Sequence, residues 1–135
     1  MAQQSPIHLA AGENICTEHA YESHLETGAL GFYQPDVAKW GGVSGCLAVG
    51  QEATARGATY CPHFMGTAVG LAASIHLLAA VGGEGFVELD ANENPLRTAL
   101  CDLDLSVENG RVQVPGGAGI GIEPDATELR RYQLM

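Results

Sequence analysis

Short apolar runs alternate with longer helix-like runs along most of this chain. Ile7 to Ala11 is a strand candidate that ends at Gly12-Glu13-Asn14. Thr17 to Thr27 then reads as a helix, with Thr17 as N-cap, acids in its first turns and Gly28 as its stop. Phe32 to Gln34 is a second strand running into Pro35-Asp36, and Val43 to Arg56 is an Ala-rich helix closed by Gly57. Ala58 to Cys61 is a third strand running into Pro62-His63-Phe64, and Thr67 to Val81 is a strongly apolar helix closed by Gly82-Gly83. Phe86 to Leu89 is the fourth strand, leading into Asp90-Ala91-Asn92. Strands joined by helical crossovers run parallel, and a parallel sheet is covered on both faces, so the pattern predicts an α/β fold.

After Pro95 the pattern changes. Leu103 to Val107 and Arg111 to Val114 alternate around Asn109-Gly110, which predicts a β-hairpin; a glycine-rich turn over 115–121 and a polar tail follow. Residues 1–97 therefore read as part of a β/α barrel and 98–135 as a hairpin and tail. A complete barrel takes about 250 residues, and this chain has 135. The expected fold is a partial TIM-type (β/α) barrel with a C-terminal hairpin segment.

In every unit the strand ends on an ionisable residue: Glu13, Asp36, His63, and Glu88 with Asp90. Strand C-termini of such a barrel open on one face, where active sites are built. A single acid there would mean little, because acids also cap helices; the same switch on four consecutive strands points to a shared site. Asp36 and His63 end adjacent strands, about 4.8 Å apart, close enough for the carboxylate to fix the imidazole tautomer and strengthen it as a base. The competing reading is that His63 packs behind Pro62 and satisfies a backbone carbonyl.

Composition removes other classes. The net charge is −10 with six Lys and Arg, which argues against nucleic acid and against an anionic membrane surface. The longest apolar stretch, Met65 to Val81, is too short and mixed to span a bilayer, and the N-terminus lacks the pattern of a signal peptide. Cys16, Cys46, Cys61 and Cys101 show no metal-binding spacing and read as free, mostly buried thiols of a cytoplasmic protein. His19 and His24 read as surface residues and His76 as packed. The run from Gly116 to Gly121 follows a hairpin rather than opening a helix, so it reads as a turn and not a dinucleotide loop.

The runs A-G-E-N (Ala11 to Asn14), Q-P-D-V-A-K-W-G-G-V-S-G (Gln34 to Gly45), P-H-F (Pro62 to Phe64) and E-L-D-A-N-E-N-P-L-R (Glu88 to Arg97) resemble the enolase superfamily. Within it they resemble the mandelate racemase group, which includes many acid-sugar dehydratases. The resemblance runs from about Ser5 to Pro124 and implies the last four β/α units of the barrel, followed by a segment that returns to a capping domain. It implies Glu13 as one of three acidic Mg²⁺ ligands, Asp36 and His63 as a dyad with His63 as general base or acid, and Glu88 as an acid that binds the substrate carboxylate. Asp90 rivals Glu88 for that role. Lys39 matches a lysine often found after the dyad Asp, with charge balance or substrate contact as its role.

The implied parent activity is Mg²⁺-assisted abstraction of the proton α to a carboxylate, with acid-sugar dehydration foremost. Racemisation of a 2-hydroxy acid is the enzymatic alternative, and a non-catalytic half-barrel subunit is the alternative from another class. The implied substrate is a small carboxylate. The other metal ligands would lie on earlier strands, so this stretch alone is expected to be inactive or nearly so. Open sheet edges invite pairing, so the expectation is a homo-oligomer or association with a missing N-terminal half.

Overall fold

Thr17 begins the first helix as its sequence suggests: its hydroxyl accepts from Ala20 N at 3.2 Å, and the chain runs on as α1 (Glu18–Thr27). Gly28 ends it in the left-handed region at φ 59°, a conformation that only glycine adopts at little cost. The computed structural model, which describes residues 5–134, orders the following elements as β1 (Ala10–Ala11), α1, β2 (Phe32–Tyr33), α2 (Gly42–Ala55), β3 (Thr59–Tyr60) and α3 (Ala68–Val81). Two short helices, α4 (Pro95–Thr98) and α5 (Ala126–Arg131), complete the set.

The three strands form one parallel sheet in the order β1-β2-β3, with Ala10 opposite Phe32, Ala11 opposite Tyr33, Phe32 opposite Thr59 and Tyr33 opposite Tyr60. The pairing outlasts the strands. Gln34 N donates to Ala11 O at 2.9 Å, Cys61 N to Tyr33 O at 2.8 Å and His63 N to Pro35 O at 3.2 Å. A further parallel bridge joins Asp36 to His63. Pro35 and Pro62 sit just beyond β2 and β3, where a missing N–H costs no ladder bond.

Helix faces explain where the core lies. α1 turns Tyr21 and Leu25 inward, four residues apart on one face, against Tyr33, Val49 and Ala53. α2 and α3 enclose Cys46, Tyr60 and Leu77. The close approach depends on Gly50, where an added Cβ would stand 2.9 Å from the Tyr60 ring. Beyond α3, Phe64, Leu71 and Ile75 receive Val87, Leu103, Leu105 and Val112 from the C-terminal stretch. Among the described residues no helix is long and apolar enough to cross a membrane.

Three expectations change in detail. Phe86 to Leu89 lies beside β3 without forming a ladder, because Phe86 N donates to the Cys61 thiol at 3.4 Å instead of to a carbonyl. At the hairpin, Asn109 and Gly110 take positive φ (52° and 75°), as a tight primed turn requires. The strands around that turn reduce to one Glu108–Arg111 bridge, and Asp104 diverts a ladder donor by accepting from Ser106 N at 2.8 Å. The polar tail forms α5, capped by Asp125, whose side chain accepts from Thr127 N and Glu128 N.

Gly12 tests the β1–β2 junction. It lies at φ +150°, and a Cβ there would stand 2.6 Å from the Gln34 backbone. Gly12→Ala should lower the free energy of unfolding by about 2 kcal/mol or more, read from the midpoint of a urea titration; an unchanged midpoint would show that the two strand ends are not in close contact.

Candidate active site

The sequence places Glu13, Asp36 and His63 at the ends of β1, β2 and β3, and sheet register then brings them together. Asp36 is 4% exposed and His63 8%. His63 Nδ1 lies 2.8 Å from Asp36 Oδ2. The other Asp36 oxygen accepts from Ala38 N at 2.8 Å, and the Asp36 carbonyl accepts from Lys39 N and Trp40 N at 3.0 Å each. The residues after Asp36 thus wrap it in a turn that leaves its carboxylate one orientation. A buried carboxylate is tolerable only when its oxygens are bonded in this way.

The opposite ring nitrogen, His63 Nε2, lies 2.8 Å from Glu13 Oε2. The two sides of the ring differ in environment. Asp36 is sealed, with a side chain 5% exposed, whereas that of Glu13 is 46% exposed. The Nε2 side is therefore the one that a small molecule can reach by displacing Glu13.

Lys39 stands at the open edge, its Nζ 4.0 Å from Glu13 Oε2 and 3.4 Å from Asn14 Oδ1. Asn14 Nδ2 in turn donates to Glu13 Oε1 at 3.1 Å. Behind this group Tyr21 reaches across from α1 and donates its hydroxyl to Gly12 O at 2.8 Å, which ties the Glu13 turn to the core. Burial raises the Tyr21 phenol well above its ordinary range, so it remains a donor. Burial also pushes the nearby Cys46 thiol up to about 12, which keeps it inert as a nucleophile.

Glu88 and Asp90 come in from the segment beside β3 and behave differently. Glu88 Oε2 is buried without a hydrogen-bond partner. Asp90 bonds within its own loop, accepting from Asn92 N at 2.9 Å and lying 3.3 Å from Arg97 Nη1. The backbone hydrogen bond from Asn92, ahead of that residue's side chain and Arg97, holds the Asp90 carboxyl below its usual range.

Mg²⁺ favours octahedral oxygen coordination, usually with one or two carboxylates plus waters and substrate. Among the described residues no three His, Cys, Asp or Glu side chains are arranged to hold a metal ion. Glu13 is the one exposed carboxylate at the site, and it faces both an imidazole and an ammonium. The residues present do not by themselves make a Mg²⁺ site.

Asn14 and Tyr21 are parts of the site that sequence reasoning passed over. Asn14 could have been suspected from its place beside Glu13; nothing in the pattern of α1 marks Tyr21 as more than a core residue.

Known proteins bear on this geometry. The family model described as "Enolase C-terminal domain-like" matches residues 1–128. A D-galactarolactone cycloisomerase of Agrobacterium fabrum is 32% identical over 96% of this chain and 36% of its own length. A D-galactonate dehydratase of Ralstonia nicotianae is 28% identical over 93% of this chain and 34% of its own. Among solved structures, a mandelate racemase/muconate lactonizing enzyme from Bordetella bronchiseptica superposes with a TM-score of 0.89 at 47% identity, over 96% of this chain and 37% of that one. This chain thus spans about a third of the length of the relatives it matches.

The contrast between the two sides of His63 gives a measurable difference. Asp36→Ala leaves a buried ring without its partner and should cost about 3 kcal/mol of unfolding free energy. Glu13→Gln loses an exposed contact and should cost less than about 1 kcal/mol. Equal losses in chemical denaturation would contradict the assignment of Asp36 as the structural side.

Proposed function

This chain belongs to the enolase C-terminal domain-like family, and on that premise we propose that it is the C-terminal barrel part of an enzyme that moves the proton α to a carboxylate of an acid sugar, with dehydration as the outcome. The observation that carries this reading is His63 held by Asp36 on its buried nitrogen and open to exchange of partner on the other.

A proton next to a carboxylate is very weakly acidic, and removing it requires a base in a fixed orientation and stabilisation of the enediolate that forms. Asp36 holds the ring through Nδ1, so Nε2 acts toward the substrate. With that nitrogen unprotonated, His63 takes the α proton; once protonated, it returns a proton to the departing β-hydroxyl, and water leaves. The resulting enol becomes a 2-keto-3-deoxy acid. Glu88 is assigned to the substrate carboxylate, which its carboxyl group can bond when protonated. Lys39 is assigned to charge balance at the open edge or to a second oxygen of the substrate.

Mg²⁺ is the cofactor this reading calls for, with Glu13 as a ligand. Since Glu13 alone does not make the site, no step is assigned to the ion, and its other ligands are assigned to the remainder of an enzyme of the relatives' length. That remainder, in the same polypeptide or as a separate N-terminal chain, would meet the apolar groove of about 740 Å³ lined by Phe86, Leu89, Val107 and Val114; a second copy of this chain is the alternative occupant. Phe86 is 69% exposed there. The four free cysteines suit a cytoplasmic setting.

Cycloisomerisation of a sugar lactone is a second reading, favoured by the 32%-identical cycloisomerase. It shares the proton-transfer step and differs in where the electrons go next.

The test is solvent deuterium exchange at the α carbon of galactonate and arabinonate, followed by NMR with Mg²⁺ present, on an enzyme of the relatives' length in which this chain is joined to the part that supplies the other metal ligands. Exchange with release of a 2-keto-3-deoxy acid is the expected result. His63→Asn should reduce it by about 10²-fold or more. Exchange that survives His63→Asn would remove His63 from the reaction.

A further inference from the structure

Asn94 divides its side chain between two tasks. Its Oδ1 accepts from Leu96 N at 3.0 Å and caps α4, while its Nδ2 donates to Gly66 O at 3.0 Å. Gly66 lies in the turn that follows His63. The hydrogen bond therefore crosses from the loop after Glu88 to the loop after the central imidazole, linking residues 28 apart in sequence.

A second set of bonds stiffens the same loop from within. Asp90 Oδ1 accepts from Asn92 N at 2.9 Å and from Asn92 Nδ2 at 2.6 Å. Arg97 Nη2 donates to Asn92 O, and Arg97 Nη1 lies 3.3 Å from Asp90 Oδ2. The side chains of Arg97 and Asp90 are only 12% and 9% exposed. The guanidinium holds the Asn92 carbonyl by a hydrogen bond and the Asp90 carboxylate by charge, its Nη1 being buried without a hydrogen-bond partner, and a lysine ammonium does not reach both groups from one rigid plane.

The strand-like stretch before this loop has no ladder to hold it. Its register is visible at two points: Gly85 packs on Tyr60 O, and Phe86 N bonds the Cys61 thiol. Carried forward two residues in parallel, that register sets Glu88 level with His63. Glu88 Oε2 is buried without a hydrogen-bond partner, so no bond to that oxygen fixes the carboxylate.

We propose that Asn94, Asp90 and Arg97 are positioning residues: they clamp the 88–97 loop to the loop following His63 and thereby hold the Glu88 carboxylate beside the imidazole. This gives Asp90 a role away from the substrate. The inference rests on the functional reading above for its effect on turnover, while its structural core stands independently.

Asn94→Asp separates the two tasks, since it keeps the capping oxygen and replaces the donor to Gly66 with a second acceptor. Asn94→Ser keeps a capping hydroxyl without adding charge, and it substitutes if the aspartate variant does not fold. In the intact protein the Glu88 carboxyl ¹³C signal should move toward that of a hydrated glutamate in either variant, and amides of 86–93 should exchange at least tenfold faster, while the Asp36–His63 hydrogen bond persists. Arg97→Lys should reproduce the effect and Arg97→Gln should not rescue it.

If the protein exchanges α protons, kcat should fall by about 10- to 10²-fold with KM nearly unchanged. An unmoved Glu88 signal with unchanged exchange over 86–93 would overturn the clamp. Absence of α-proton exchange in the unsubstituted enzyme of the relatives' length would overturn the functional reading instead and leave the spectroscopic result to decide the clamp.

Discussion

His63 is gripped from both sides, by Asp36 on Nδ1 and by Glu13 on Nε2, each at 2.8 Å. The three residues come from the ends of three different strands, so this contact exists only if β1, β2 and β3 lie side by side in register. Much of the rest of the structure serves that requirement. α1 packs Tyr21 and Leu25 behind β2 and ties Gly12 by a hydrogen bond, α2 and α3 pack Cys46 and Leu77 on Tyr60, and Gly12 and Gly50 are bare where backbone or ring must approach.

The two grips are unequal in energy, and the inequality has a chemical meaning. Asp36 is out of water, and both of its oxygens are bonded, so its hold on the ring is expensive to break. Glu13 is half exposed and shared with Lys39 and Asn14, so its hold is cheap to exchange. An imidazole fixed on one nitrogen and exchangeable on the other is what a proton-transfer residue needs. The same unequal arrangement would be a poor design for a purely structural histidine, which gains from being sealed on both sides.

The stretch from Gly85 to Arg97 solves a related problem with side chains in place of a ladder. Its first amides find a thiol and a close carbonyl contact, and its last residues form a small network around Asp90 that a single amide, Asn94, attaches to the turn after His63. Such a network is stiff while complete and loose when one member is lost. The groove beside it, with Phe86 open to solvent, marks the face on which the fold has apolar surface left to bury.

Periodicity and capping residues determined the order of elements by themselves: Thr17, Thr67, Gly28, Gly57 and Gly82 act locally, so a helix start or stop is written where it occurs. The polar residue at each strand end was equally legible, which is why Asp36 and His63 could be named as neighbours and Glu13 placed at the same mouth, though not in contact with the imidazole. Tertiary structure decided what spacing cannot carry. Which nitrogen of His63 faces which carboxylate depends on side-chain rotation within a register. The fourth strand's missing ladder depends on a thiol from another element, and the attachment of Asn94 to Gly66 depends on two loops that meet only in the folded chain. Local conformation follows from neighbours in sequence; orientation and long-range hydrogen bonding follow from packing, and the chemistry of this site rests on both.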